Sequence, residues 1–172
     1  MTDIVLLDQL KEYVEEQTKD IILPVRPIKQ KTTEEYRKEQ QKQGKLVERR
    51  APEVFMQGLP DKEAAENRLP FILLQLVTGI DEQNAGEDSD SECKVRLIVG
   101  VYNEDGSEGS MSLLNIITRL RVDLLREQQV GQFLLRMPLE RYIYPDDLGS
   151  YYYGELLLTF EMPEINRDIE YY

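Results

Sequence analysis

The clearest pattern in the chain is a change of hydrophobic period between residues 93 and 127. Residues 93–103 alternate along their length with a period of two, which predicts a β-strand. The glycine-rich, acidic run NEDGSEGS, residues 103–110, is interpreted as a turn in which Ser110 or Ser112 caps the next helix. Apolar side chains with helical spacing follow this turn and predict an amphipathic helix; they are Leu113, Ile116, Ile117, Leu120, Leu124 and Leu125.

The rest of the chain predicts one more helix and several strands. Residues 3–16 carry an apolar helical face made of Ile4, Leu7, Leu10 and Val14. The run LPFILLQLV, residues 69–77, is apolar on both faces of a strand, which favours a central position in a sheet. An acidic loop at 81–92 leads from it to the strand at 93–103, so we expect these two strands to pair antiparallel. Other expected strands are 21–23, 51–60, 133–144 (with Pro138 at an edge or bulge) and 151–165.

These elements predict an α/β (α+β) fold in a single domain over residues 1–172, with a mostly antiparallel or mixed sheet flanked by helices. A basic segment at 28–50 lies within it. From residue 26 to residue 50 the chain carries nine bases and four acids, although its net charge is −12. The segment is interpreted as a solvated helix or flexible linker, or as an arm that docks on an acidic neighbour or nucleic acid.

Composition limits the chemistry that the chain can perform. Histidine is absent and Cys93 is the only cysteine, so no ordinary nucleophile–base pair and no cysteine-based zinc site can form. The turn at 103–110 lacks the order GxGxxG and a following lysine, and the acidic loop lacks the EF-hand order, so neither predicts a phosphate or calcium site. We therefore expect a protein that is not an enzyme, with no catalytic residues, no metal and no cofactor.

Charge and hydropathy limit the partners and the location. A net charge of −12 disfavours general binding to nucleic acid or to an anionic membrane. The run MTDIVLLDQLKEYVEE has neither a basic start nor an unbroken apolar core, so a signal peptide is not expected. No stretch approaches the roughly 18 apolar residues that a membrane span needs. The expected location is a cytosol.

Two groups of side chains are candidates for contacts with other subunits. Arg119 and Arg126 lie on one face of the second helix, where Arg119 can pair with Asp123 or take part in a contact between subunits. Tyrosines cluster from residue 142 to residue 153; this cluster predicts either an amphipathic contact surface or merely the preference of tyrosine for strands.

Several short strings give the chain a family resemblance. LPFILLQLV, followed after the acidic loop by VRLIVGVYNEDGSEGSMSLLNIITRLRVDLL, resembles the tail terminator (tail completion) proteins of tailed bacteriophages and prophages of Gram-positive bacteria. APEVFMQGLP before these strings and YYYGELLLTFEMPEI after them also resemble that family, as does the first helix running into DIILPVRP. The resemblance covers most of residues 4–165, and the basic segment at 28–50 departs from it.

The resemblance implies a structural virion protein with an α/β fold that assembles as a homohexameric ring. Such a ring caps the finished tail tube, ends tube polymerisation and provides the joining surface for the head. The implied partners are further copies of the chain, the tail tube protein, and a sheath or head-completion protein, with no membrane and no sequence-specific nucleic acid. The implied location is the host cytoplasm during assembly and then the head-proximal end of the tail, contractile or not.

The candidate contacts with a neighbouring subunit or the tube are Arg119, Arg126, Glu104, Asp105, Tyr151 and Tyr153. Three alternative functions remain: another head–tail adaptor or neck protein, the tube cap of a headless phage-like particle, and an acidic inhibitor that mimics DNA. The basic segment at 28–50 argues against mimicry.

Overall fold

Two helices pack on one side of a curled, mixed, six-stranded sheet, which makes the fold α+β as expected. The computed structural model describes residues 3–26, 48–59, 69–82, 90–145 and 149–163. The elements within these ranges are α1 (Asp3–Thr18), β1 (Leu23–Pro24), β2 (Arg49–Arg50), β3 (Glu53–Met56), β4 (Phe71–Glu82), β5 (Asp90–Tyr102), α2 (Gly106–Glu127), β6 (Gln129–Val130), β7 (Phe133–Ile143) and β8 (Tyr151–Glu161).

The strand order of the sheet is β3-β4-β5-β8-β7-β6. β3 runs parallel to β4, and every other neighbouring pair is antiparallel. β4 and β5 form the long hairpin that the sequence predicts. β5 lies between β4 and β8, where Val99 is opposite Ile72 on one side and Gly154 on the other. β1 and β2 form a separate two-stranded hairpin.

The two faces of the sheet differ in what covers them. On the helix face, α1 and α2 pack over alternate residues of the strands, such as Ile72, Val99 and Leu156, and together they form the main core. The open face carries the intervening residues. Its smaller apolar cluster, centred on Leu69 and Phe71, contains no residue of either helix. One face therefore supplies the stabilising burial, and the other remains half-exposed.

The hairpin of β4 and β5 reaches further than the hydrophobic pattern predicts. The predicted bounds of the acidic loop, 81–92, are wrong at both ends. Asp81 pairs with Ser91 and Glu82 pairs with Asp90, so these residues belong to the strands. Acidic side chains are accommodated in these strands because the end of the hairpin is exposed to solvent. Residues 83–89 lie outside the described residues.

Helix α2 begins earlier than expected. Residues 106–110 are helical rather than part of a turn, and the N-cap is Asp105 rather than Ser110 or Ser112. At the other end, Gln128 in the left-handed conformation (φ 52°) caps the helix, whereas Gly131 lies in the turn between β6 and β7.

Other predictions meet mixed outcomes. The strands expected at 133–144 and 151–165 are present as β7 and β8, although β8 ends at Glu161 and residues 164–165 lie outside the described residues. Pro138 lies where the register between β7 and β8 shifts. In α1, Ile4 is exposed instead of buried, and Leu6 takes its place in the core. Most of the basic segment at 28–50 lies outside the described residues; its last two residues form β2.

Candidate interaction surface

The junction of β5 and α2 is built by two polar side chains of the string NED. Asn103 Oδ1 accepts a hydrogen bond from Asp105 N–H at 2.9 Å, which closes a tight turn. Asp105 Oδ1 then accepts from Glu108 N–H at 3.0 Å and caps the helix. Asn103 is buried, and its own N–H donates to the Ser150 carbonyl at 3.0 Å. This part of the family string therefore has a structural role in joining a strand to a helix.

Tyrosines gather on the open face beside this junction. The rings of Tyr102 and Tyr151 have centroids 5.8 Å apart, and the Arg26 guanidinium lies over the Tyr151 ring at 5.1 Å. Tyr102 Oη donates to Glu104 Oε1 at 3.3 Å. Partial burial, and then the nearby Glu104 carboxylate, raise the pKa of Tyr102, so its hydroxyl stays a donor at neutral pH.

Tyr153 extends the aromatic group toward β4. Its ring centroid lies 6.5 Å from that of Phe71, with the two planes tilted by 50°. Both residues belong to the smaller apolar cluster of the open face, together with Ile98 and Leu69. We call the set Phe71, Tyr102, Tyr151 and Tyr153 the aromatic end of the open face.

The middle of the open face is a polar row across three strands. Arg96 Nη2 donates to Gln75 Oε1 at 2.8 Å, and Arg96 Nε lies 3.9 Å from Glu155 Oε2. The Glu155 side chain is only 13% exposed. Partial burial and the contact with Glu155 raise the pKa of Tyr144 at the end of β7. These groups position a charged pair in the sheet, which suits contact with a polar protein surface.

The other end of the open face is centred on Arg136. Its guanidinium makes two hydrogen bonds to the Asp90 carboxylate, with Nη2–Oδ1 at 2.6 Å and Nη1–Oδ2 at 3.1 Å. Glu92 Oε2 and Glu161 Oε2 lie 3.6 and 3.7 Å from the same guanidinium. The hydrogen bond from Arg136 holds the pKa of Asp90 below its ordinary value. One base therefore ties together β5, β7 and β8 where three acids meet.

Arg119 and Arg126, expected to lie in one contact between subunits, form ion pairs with different acids within the chain. Arg119 Nη1 donates to Asp20 Oδ2 at 2.9 Å. Its partner is therefore an acid in the segment after α1, whereas the helical spacing predicts Asp123. Asp123 instead pairs with Arg126 at 3.7 Å, and the Arg126 side chain is 74% exposed. The hydrogen bond from Arg119 lowers the pKa of Asp20. Spacing along one helix misses the Asp20 partner because the acid is remote in sequence.

The structure brings together four of the six candidate contact residues. Glu104, Asp105, Tyr151 and Tyr153 lie at the aromatic end of the open face and the adjoining helix cap. The two arginines lie on α2, which packs against the opposite face.

Sequence reasoning missed Arg136. Its alternation within β7 places it on the open face, but its three acidic partners come from other strands. The signal that could have identified it is an arginine in one strand together with acids at the nearby ends of the neighbouring strands β5 and β8.

Reactive groups are scarce in the part of the chain that the structure describes. No cluster of three or more acidic or cysteine side chains there could hold a metal ion. Cys93 is 1% exposed in the main core, and its burial raises the pKa of the thiol to about 12, so thiolate chemistry is suppressed. None of the helices described is long and apolar enough to cross a membrane.

No protein-family model matches the chain, and no curated protein matches it.

Proposed function

We propose that the chain is a phage tail terminator, a subunit of a homohexameric ring that caps the tail tube, stops its polymerisation and provides the surface for joining the head. The observation that carries the proposal is the strand–turn–helix unit of β5 and α2. Its string GVYNEDG resembles the family, and it places Glu104 and Asp105 beside the aromatic end of the open face.

The arrangement of the sheet supports a role in assembly. The helices stabilise the subunit from one side, so the open face is available for protein contacts without loss of the main core. Aromatic rings with polar tips and an arginine stacked on one of them are typical of protein interfaces. Tail tube protein is the proposed partner, with a sheath or head-completion protein as the next one. The proposed location is the host cytoplasm during assembly and then the head-proximal end of the tail.

The decisive experiment adds the purified protein to polymerising tail tube subunits and images the products by negative-stain electron microscopy. We expect rings at one end of the tubes and tube lengths that shorten as the protein is increased. Long tubes without caps in the presence of excess protein would contradict the proposal. Binding to a head connector without binding to tubes would indicate an adaptor, and displacement of DNA from a basic enzyme would indicate an acidic inhibitor.

A matched pair of variants locates the contact with the tube. Glu104→Lys reverses a charge beside Tyr102 at the aromatic end and should reduce capping. Glu12→Lys reverses a charge on the exposed side of α1 and should leave capping unchanged. Equal effects of both variants would show that only the total charge matters, and would exclude the aromatic end as the contact surface.

A further inference from the structure

At both edges of the six-stranded sheet, backbone groups have no strand partner among the described residues. β6 pairs with β7 only at Phe133 and Leu134, and Leu135 N–H donates to the Gln128 carbonyl. Beyond Leu135, the outer side of β7 pairs with no other strand that the structure describes. At the opposite edge β3 pairs only with β4 within the same described ranges. Edges of this kind are templates for the addition of another strand.

The hydrogen bonds already made identify which groups point outward on β7. Tyr144 N–H donates to the Tyr153 carbonyl of β8 at 3.0 Å. Because inward and outward residues alternate in an antiparallel pair, Tyr142 also faces β8. The N–H and C=O groups of Arg141 and Ile143 therefore point away from the sheet.

The same reasoning applies to β3. Glu53 N–H and Gln57 N–H donate to carbonyls next to and within β4, at 3.2 and 2.7 Å. Alternation then turns the N–H and C=O groups of Val54 and Met56 outward. β3 thus offers Val54 and Met56 as outward residues, and the Met56 carbonyl already accepts from Gly58 N–H at 2.8 Å. The end of β7 offers Arg141 and Ile143.

We propose that the outer edge of β7 in one copy pairs antiparallel with the outer edge of β3 in a second copy, with Ile143 opposite Val54 and Arg141 opposite Met56. β7 and β3 run in opposite directions within the sheet, so copies placed side by side in the same orientation bring antiparallel edges together. This register forms four hydrogen bonds between the two copies, and the one to the Met56 carbonyl shares its acceptor with Gly58 N–H.

The side chains agree with this register. Val54 is buried in the main core on the helix face, and Ile143 lies on the same face, beside the position that a Cβ of Gly154 would occupy. The helices of both copies therefore lie on one side of a continuous sheet. On the open face the register places Phe55 opposite Tyr142, a favourable aromatic cross-strand pair. Ile143 and Tyr142 are 45% and 46% exposed in the single chain, so the pairing buries apolar surface.

Prolines disfavour the two neighbouring registers, because each of them loses one hydrogen bond. If Ile143 were opposite Met56, Pro145 would be opposite Val54, and proline has no N–H to donate. If Ile143 shifted the other way, it would be opposite Pro52, with the same loss. Of these three registers, only the proposed one places no proline opposite Val54 or Ile143.

The occupant is a second copy because the two edges of one chain run in opposite directions and match in face and register. A contact between two different surfaces of the same chain is heterologous, and its repetition closes a ring when the rotation allows. The inference deepens the self-association of the proposed ring and rests on that part of the proposed function alone. Neither the tail tube nor the aromatic end enters it.

Disulfide cross-linking tests the register directly. In a Cys93→Ala background, Met56→Cys and Arg141→Cys place two thiols at a hydrogen-bonded antiparallel pair, whose Cα separation of about 5.5 Å suits a disulfide. We expect a ladder of covalent oligomers on a non-reducing gel, which reductant removes. The control combines Met56→Cys with Glu140→Cys, which shifts the second thiol to the other face of the sheet and should give no ladder.

A proline variant provides an independent readout. Ile143→Pro removes an outward N–H and leaves the hydrogen bonds from β7 to β8 in place, so the variant should keep its circular dichroism spectrum and lose oligomer mass in light scattering. If the protein forms an oligomer but the cross-linked variant gives no ladder, and Ile143→Pro keeps its oligomer mass, the proposed pairing of β7 with β3 is wrong. The proposal of a ring would then still stand. A protein that stays monomeric at every concentration would overturn both. A ladder without tube capping would support the pairing and refute only the tail function.

Discussion

The ring of Tyr152 packs directly on Gly109 in the first turn of helix α2. A Cβ atom added to Gly109 would lie 2.6 Å from Tyr152 Cδ2 and 2.7 Å from Cζ, closer than real Cβ contacts. Glycine disfavours helices, yet here it allows β8 to approach the helix and bury the Tyr152 ring to 5% exposure. Close packing therefore explains Gly109, the second glycine of the string NEDGSEGS.

Gly109→Ala should destabilise the protein. The added methyl group overpacks the contact with Tyr152, which costs about 1–3 kcal/mol, while the better helix propensity of alanine returns about 1 kcal/mol. Urea unfolding should show a lower midpoint with an unchanged slope. Gly106→Ala is the matched control, because its Cβ would lie 3.5 Å from Tyr152 Oη, an ordinary contact. Equal stability of the two variants would contradict the packing explanation.

Removal of the helix cap gives a second prediction. Asp105→Ala leaves Glu108 N–H without its acceptor and should lower the free energy of unfolding by about 1 kcal/mol. Asp105→Asn keeps a side-chain acceptor and should lower the free energy of unfolding much less. Chemical denaturation measures both, with Glu104→Ala as the neighbour that caps nothing. If Asp105→Asn lost as much as Asp105→Ala, the charge and not the cap would be the stabilising feature.

The elements that hydrophobic period could predict are those with one buried side. In β8 every second residue from Tyr152 to Phe160 is buried, and the residues that alternate with them are more exposed, so the pattern identifies the buried face. The start of α2 could not be predicted in this way. Its first turn is polar and rich in glycine, and the reason lies in Tyr152, which is distant in sequence and close only after folding.

The charged contacts of the candidate surface were the least predictable part. Spacing along one helix suggests Asp123 for Arg119, but the folded chain offers Asp20 at 2.9 Å. Arg136 finds its acids on β5 and β8 because of strand order and register, and neither is encoded in a local pattern. The hydrophobic period predicts which face of a helix or strand is buried, but it does not predict which elements that face contacts.

Arg119 and Arg126 remain predicted subunit contacts. The variant Arg119→Ala with Arg126→Ala should lower the oligomer mass measured by light scattering, because it removes two positive charges from the surface of α2. Asp20→Asn is the control, since it weakens the pair between Arg119 and Asp20 inside the chain and leaves both arginines in place. An oligomer mass unchanged by the double substitution would exclude these arginines from the interface.

The ion pair of Asp90 and Arg136 predicts a dependence of stability on pH. The hydrogen bond from Arg136 lowers the pKa of Asp90 in the folded state, whereas an unfolded aspartate titrates near about 3.9. The carboxylate therefore stabilises the fold above that pH, and this contribution is lost as the pH falls through the lower, folded pKa. Asp90→Asn should reduce the difference in unfolding free energy between neutral and acidic solution.

The control for the acid dependence is Asp8→Asn, on the exposed side of α1. It removes a carboxylate of the same kind without touching the Arg136 cluster, and should leave the difference between neutral and acidic solution nearly as in the unchanged protein. High salt should diminish the Asp90 contribution, because the carboxylate lies at the surface. If the two variants had the same acid dependence, the pair with Arg136 would not be its cause.

The thiol of Cys93 should be unreactive until the protein unfolds. Burial, and then the negative charges of Asp3 and Glu92, raise its pKa to about 12. Compared with an ordinary thiol of pKa about 8.5, the thiolate at pH 8 is rarer by roughly 10³-fold. An aromatic disulfide reagent should therefore label the native protein far more slowly than the protein in guanidinium chloride. Ile4→Cys with Cys93→Ala places the single thiol at a position that is 68% exposed, and should react rapidly in the native state. Rapid labelling of native Cys93 would mean that the main core beneath α1 opens frequently.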